Sequence, residues 1–114
     1  MSYVANKVLY PMRAIVGGTA VADQSITVST AAIGPTAYVA SPDVNGANLV
    51  TFDVQTSDVR VRWDNTDPTS TTGHVLPAST AYTWDITMFN NAKFIRDSTM
   101  SVDAVIWASS LMLS

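Results

Sequence analysis

The sequence predicts an all-β chain, a single-domain antiparallel β-sandwich, jelly-roll-like, with about eight strands. Three observations predict it. Apolar residues alternate with polar ones at a period of two, as in Val50-Thr51-Phe52-Asp53-Val54. Turn residues interrupt the alternation about every 10–25 positions. Thr, Ser, Val and Ala are abundant, Glu is absent, and Lys and Arg together number six, so the usual surface residues of helices are scarce.

Taken in order, a first strand near 5–10 lies within an apolar opening, residues 1–16, read as an N-terminal arm. Gly17-Gly18 ends it. Ile26 and Val28, alternating with Ser25, Thr27 and Ser29, predict a strand over 24–30. Gly34-Pro35 precedes a short strand at 36–40, and Ser41-Pro42-Asp43 with Asn45-Gly46 turns the chain into a strand at 48–55. Val59, Val61 and Trp63 mark the next, 58–64. The link Gln55-Thr56-Ser57-Asp58 is so short that an antiparallel hairpin between these two strands is expected. His74-Val75-Leu76 forms a strand closed by Pro77, and Tyr82, Trp84 and Ile86 pattern a strand over 81–87. Met88 to Asn91 suits one turn of helix and no more. A strand at 92–96 ends at Asp97-Ser98, and the last runs over 100–108.

That last strand is apolar on both faces, with Met100, Val102, Ala104 and Ile106 on one and Val105 and Trp107 on the other, so both faces are expected to be covered. The tail, 109–114, adds Leu111 and Leu113. Chain ends normally fray. Large apolar side chains at both, Tyr3, Val4, Val8, Leu9 and Tyr10 in the arm and Trp107, Leu111 and Leu113 at the other end, point to docking on the domain itself or on a neighbour.

The length, 114 residues, corresponds to one domain, 1–114, large enough to bury a core without crosslinks. The absence of cysteine excludes a disulfide scaffold and thiolate-bound zinc or iron–sulfur sites. Only 13% of residues are charged, against roughly 25% in an average soluble domain. The net charge of −3 gives no electrostatic case for nucleic acid. No apolar run approaches the about 18 residues of a membrane helix, and the opening lacks the basic region of a signal peptide. A weakly charged chain that is 47% hydrophobic stays soluble either by packing well or by having its apolar surface covered by partners.

Chemistry, if present, would lie in V61-R-W-D-N-T-D-P-T-S-T-T-G-H74, which holds the only histidine. A nucleophile needs a base and a group to orient that base. His74 is the only imidazole, and no G-x-S-x-G sequence occurs. Asp64 and Asp67 lie in a polar turn, whereas a glycosidase needs facing carboxylates, one with a raised pKa. A zinc site wants three or four ligands, more than one histidine and loop aspartates supply. Asp64, Asn65, Asp67 and Thr69 offer oxygens to a cation, but Thr69 stands where the EF-hand calcium loop has glycine. The structural reading is stronger. Asp64 and Asn65 suit Asx turns, Pro68 takes the chain out of the sheet, Gly73 permits a backbone angle closed to other residues, and His74 opens the next strand. Arg62 is a ready ion-pair partner for Asp64 or Asp85. No enzymatic activity and no cofactor are expected.

Three segments carry a resemblance. The first is Val59-Arg60-Val61-Arg62-Trp63-Asp64; the second runs from Asp64 to Leu76, with Pro68-Thr69, Gly73-His74 and Leu76; the third is Ala92-Lys93-Phe94-Ile95-Arg96. Together they resemble a pattern in small virion-associated proteins of tailed bacteriophages, over about half the chain from Leu49 to Ile106; the first 48 residues carry no such likeness. The resemblance implies a structural virion protein made in the bacterial cytoplasm. Its implied place is the outer capsid surface, as a decoration or cement protein bound to the major capsid protein and to copies of itself, a trimer fitting three-fold sites. Neither nucleic acid nor membrane is implied as a partner. The alternative is a tail, baseplate or head-fibre module that contacts a host glycan or another virion protein, with Trp63, Trp84 and Tyr82 as its aromatic support. Trp63 and Trp84 are in phase with core positions, which favours burial.

Overall fold

The computed structural model describes residues 19–41 and 46–112. Seven strands and one short helix follow in order: β1 Thr19–Val28, β2 Leu49–Gln55, β3 Val59–Arg62, β4 His74–Leu76, β5 Thr80–Asp85, α1 Ile86–Asn90, β6 Lys93–Arg96 and β7 Ala104–Met112. They form two antiparallel sheets. The large sheet has the order β1-β7-β2-β5 and the small sheet β4-β3-β6. The chain is all-β in class. The expected strand at 5–10 and the arm, 1–16, lie outside the described residues.

The period-two pattern sets which side chains go inside. Ile26 and Val28 of β1, Val50, Phe52 and Val54 of β2 and Ala104, Ile106 and Ala108 of β7 are buried from the large sheet; Val59, Val61, Leu76 and Phe94 are buried from the small one. All belong to one core. Phe52 is its hub. Its ring centroid lies 5.3 Å from Tyr82, 4.7 Å from Trp84 and 5.3 Å from Phe89, and 6.4 Å from Phe94 of the opposite sheet. Offset and edge-to-face rings at such distances add to the area they bury.

The pairings are nested. β3 pairs with β4, β2 with β5, Ile33 forms a bridge with Phe94 of β6, and β1 pairs with β7. Successive pairs fall alternately in the small and the large sheet. From β1 to β7 the described residues thus form one long hairpin, its tip at the loop 63–73, doubled over on itself.

The expected hairpin between 48–55 and 58–64 does not form. β2 pairs with β5 and β7, whereas β3 pairs with β4 and β6. The four-residue link crosses the core instead. Thr56 takes a positive φ of 79°, and Ser57 is fully buried with its hydroxyl donating to the Val102 carbonyl at 2.7 Å. Asp58 accepts Ala78 N–H on its side chain at 2.8 Å and Asp97 N–H on its carbonyl at 3.1 Å. Alternation records which side chains are buried; it does not record which neighbour supplies the ladder.

Other boundaries shift for local reasons. No strand forms at 36–40. Pro35 lacks an N–H, and the segment is fixed by side chains: Asn90 accepts Tyr38 N–H at 2.9 Å and donates to the Tyr38 carbonyl at 3.0 Å, and Gln24 makes the same two bonds to Thr36. The strand over 81–87 stops at Asp85, whose carboxylate accepts Met88 N–H at 2.8 Å and caps α1. The helical turn therefore begins before Met88. The expected strand 24–30 runs over Thr19–Val28.

The last strand is displaced most. It spans Ala104–Met112, not 100–108, so Ser109 to Met112 are not a tail but the middle of the large sheet, paired with β1 on one side and β2 on the other. Ser110 is fully buried there, its hydroxyl accepting from Ala22 N–H at 3.1 Å and donating to the Ala22 carbonyl at 3.3 Å, beside the irregularity in β1 between Ala20 and Ala22. Residues Met100 to Asp103 instead turn back on Asp97, whose carbonyl accepts Met100 N–H at 3.0 Å.

Candidate functional site

The sequence offers two candidate surfaces, and the structure puts them on different sheets. The first is the outer face of the large sheet. Along β7, Val105, Trp107, Ser109 and Leu111 point away from the core. Cross-strand register places Ser25, Trp107, Asp53 and Ala81 in one row; Asp23, Ser109, Thr51 and Thr83 in the next; and Ala20, Leu111, Leu49 and Asp85 beyond. Trp107 is 50% exposed near the middle of this face, and Leu111 is half-buried. Among the described residues, the outer side of the strand thus lies open to solvent around Trp107, where the sequence predicts cover on both sides. Tyr3, Val4, Val8, Leu9, Tyr10 and Leu113 lie outside the described residues.

The second surface is the small sheet with its loop. Pro68 is buried while Asp64 and Asp67 are exposed. Thr69 and Thr72 exchange backbone bonds at 3.2 and 3.1 Å and share a hydroxyl contact at 2.6 Å, which closes the tip. Gly73 has φ +123°, and a β-carbon there would meet the Val61 carbonyl at 3.0 Å, so the position accepts only glycine without strain. Asn65 also has a positive φ, 64°. Of the two partners expected for Arg62, Asp64 is the one found. Arg62 donates to it from Nε at 3.2 Å and from Nη2 at 2.5 Å, and this fork holds the Asp64 carboxyl below its ordinary pKa.

A second ion pair could not be expected from spacing. Arg60 Nε donates to Asp97 Oδ1 at 2.6 Å, and Arg60 Nη1 to the Gly73 carbonyl at 3.1 Å. Asp97 is nearly buried, and its other oxygen accepts the Thr99 hydroxyl at 2.6 Å and N–H at 3.0 Å. Those two bonds, then the Arg60 guanidinium, lower its pKa to about 2. The partners are 37 residues apart and meet only because β3 and β6 are neighbours. A third pair joins Arg96 to Asp103 at 2.8 Å.

At the end of β3, Arg62, Trp63, Asp64, Gly73 and His74 line an open recess of about 540 Å³. Trp63 and Trp84 are both partly buried against the core, a half-way outcome of the burial their phase predicts. The Trp63 ring lies 5.2 Å from Trp84, edge-to-face, and 5.1 Å from His74. Its indole Nε1 is the one buried side-chain polar atom among the described residues without a hydrogen-bond partner. No group of three or more His, Cys, Asp or Glu among the described residues is placed to hold a metal ion. Among the same residues, no helix is long and apolar enough to cross a membrane. No protein-family model, curated protein or solved structure matches this chain.

Proposed function

We propose that this chain is a non-enzymatic structural protein of a tailed-bacteriophage virion, a decoration or cement protein. It is made in the bacterial cytoplasm and binds the outer capsid surface as a homo-oligomer, trimers fitting three-fold sites. It stabilises contacts between major capsid protein subunits. The observation that carries the reading is Trp107, half exposed in the middle of a broad face that mixes short hydroxyl side chains and carboxylates with Val105, Leu49 and Leu111. An exposed tryptophan is among the residue types most enriched at protein-binding hot spots. The face has carboxylates at Asp23 and Asp53 and no cation among its described strand residues, so it suits a coat surface that presents positive charge.

Two further observations support the reading. Two of the three segments that carry the phage resemblance contain β3 and β4, and the third contains β6, so all three strands of the small sheet belong to the likeness. The nested pairing supports a jelly-roll reading, in which the Ile33–Phe94 bridge would stand where an eighth strand joins β6. Jelly rolls are common in capsid proteins, though fold alone does not fix a role.

The test is Trp107→Ala assayed for occupancy on empty capsids. Loss of a central aromatic anchor lowers affinity by about 30-fold or more. Unchanged occupancy rejects this face. Copy number on purified particles must also scale with coat subunits; a few copies at one vertex rejects the decoration role in favour of a tail or fibre part.

A further inference from the structure

We propose that the recess bounded by Arg62, Trp63, Asp64, Gly73 and His74 binds a neutral pyranose sugar, with the sugar's C–H face against the Trp63 ring and neighbouring hydroxyls on the Arg62–Asp64 pair. The site belongs to the tip of the small sheet, while Trp107 lies on the outer face of the large one. The inference therefore does not depend on what Trp107 contacts.

The argument begins with Trp63. It is the last residue in the inward phase of β3, and it stands where the strand has already ended, so its ring closes the end of the core rather than filling it. Trp84 holds it edge-to-face, and Trp84 in turn packs edge-on to Phe52 at the hub. The platform is therefore rigid. Because Nε1 is buried, the part of the indole that meets solvent is carbon. Indole carbon in the lining of the recess attracts the weakly positive C–H groups that line one side of a pyranose. The His74 ring packs against Trp63 at 5.1 Å, tilted by 39°, and also lines the recess.

Polar groups flank that platform. The Arg62–Asp64 fork leaves further N–H groups on the guanidinium and further lone pairs on the carboxylate, which is also oriented by Thr66 N–H at 3.3 Å. A vicinal diol both donates and accepts, and it matches a pair that offers both. The positive φ angles of Asn65 and Gly73 fix the two sides of the loop, so the groups are held in place before a ligand arrives.

Other ligand classes fit less well. A metal ion finds too few ligands here. An anion meets an Arg62 charge already matched by Asp64. A wholly apolar ligand would strip water from both charged groups without replacing it. What remains is a ligand with one apolar face and a rim of hydroxyls.

The experiment is an NMR titration of the uniformly 15N-labelled full chain with methyl glucoside, methyl galactoside and N-acetylglucosamine, with sodium phosphate as comparator. Saturable millimolar shifts are expected at the Trp63 indole, His74 and Gly73 for at least one sugar. Asp64→Asn and His74→Ala, both at exposed positions, should keep the native spectrum and weaken binding about tenfold or more. Trp63→Phe retains a ring against Trp84 and should weaken binding less than Trp63→Ala. Three outcomes overturn the proposal: no saturable shift with any of the sugars, sugar shifts that are unchanged in Asp64→Asn, or stronger shifts at the same residues with phosphate.

Discussion

The large sheet presents to solvent a surface of hydroxyls, carboxylates and Trp107, with no cation among its described strands, whereas all four described cations, Arg60, Arg62, Lys93 and Arg96, lie on β3 and β6 of the small sheet. Three of those four are tied to carboxylates, at Asp97, Asp64 and Asp103. The loop from Trp63 to Gly73 adds to the small sheet's closure with the buried Pro68 and the Arg60 bond to Gly73. Charge on the small sheet is thus largely matched within the chain. On the large sheet Trp107 is half exposed, with no aromatic partner among the described residues. The contrast separates a sheet whose charges are matched internally from one whose outer face lies open to solvent among the described residues.

The change with the largest expected effect attacks what the two sheets share. Phe52→Ala removes the ring that joins them and should lower unfolding free energy by about 3–5 kcal/mol, read from urea denaturation. A loss under about 1 kcal/mol would mean that the sheets do not depend on a common core. Next, Asp97→Asn tests the small sheet alone. It leaves Arg60 without its carboxylate and should cost about 2–3 kcal/mol. Trp107→Ala, on the other sheet, should stay within about 0.5 kcal/mol.

Acid offers a second way to sharpen the contrast. The folded-state pKa of Asp97, about 2, lies below its ordinary value of 3.8. Its contribution is complete above the ordinary value and is lost as pH falls from about 4 through 2, where protonation breaks the bonds to Thr99 and Arg60. Unfolding free energy should fall across that window in the parent and fall less steeply in Asp97→Asn. A further effect, smaller than that of Asp97→Asn, is at the tip. Gly73→Ala forces a β-carbon against the Val61 carbonyl at a positive φ and should cost about 1–2 kcal/mol. It should also disturb the His74 and Arg62 resonances while leaving those around Trp107 in place.

Much of this was legible in the sequence because burial has a period and turns have a composition. Val50, Phe52 and Val54 declare an inward face, and Pro68 and Gly73 declare a loop, from local chemistry alone. Pairing is not local. The alternation of β2 and β3 is the same whether they lie side by side or on opposite sheets, and the buried hydroxyl of Ser57 that separates them has no sequence signature. The Arg60–Asp97 pair is hidden for the same reason, since two charges 37 residues apart become neighbours only through strand order. At Trp107 the pattern was informative but incomplete: apolar residues on both faces of β7 predict cover on both, and the fold supplies it on the inner face.

The nested pairing bears on how the protein is made. β7 follows every other described strand in chain order, yet it is wedged between β1 and β2. As the polypeptide leaves the ribosome, β1 and β2 therefore wait with unfilled edges until β7 emerges between them, while the tip formed by β3 and β4 can assemble early. Such non-local closure is slow and leaves the nascent chain open to mispairing with its neighbours. A chaperone that shields β1 and β2 during that interval would raise the yield of native protein without altering a single contact in it.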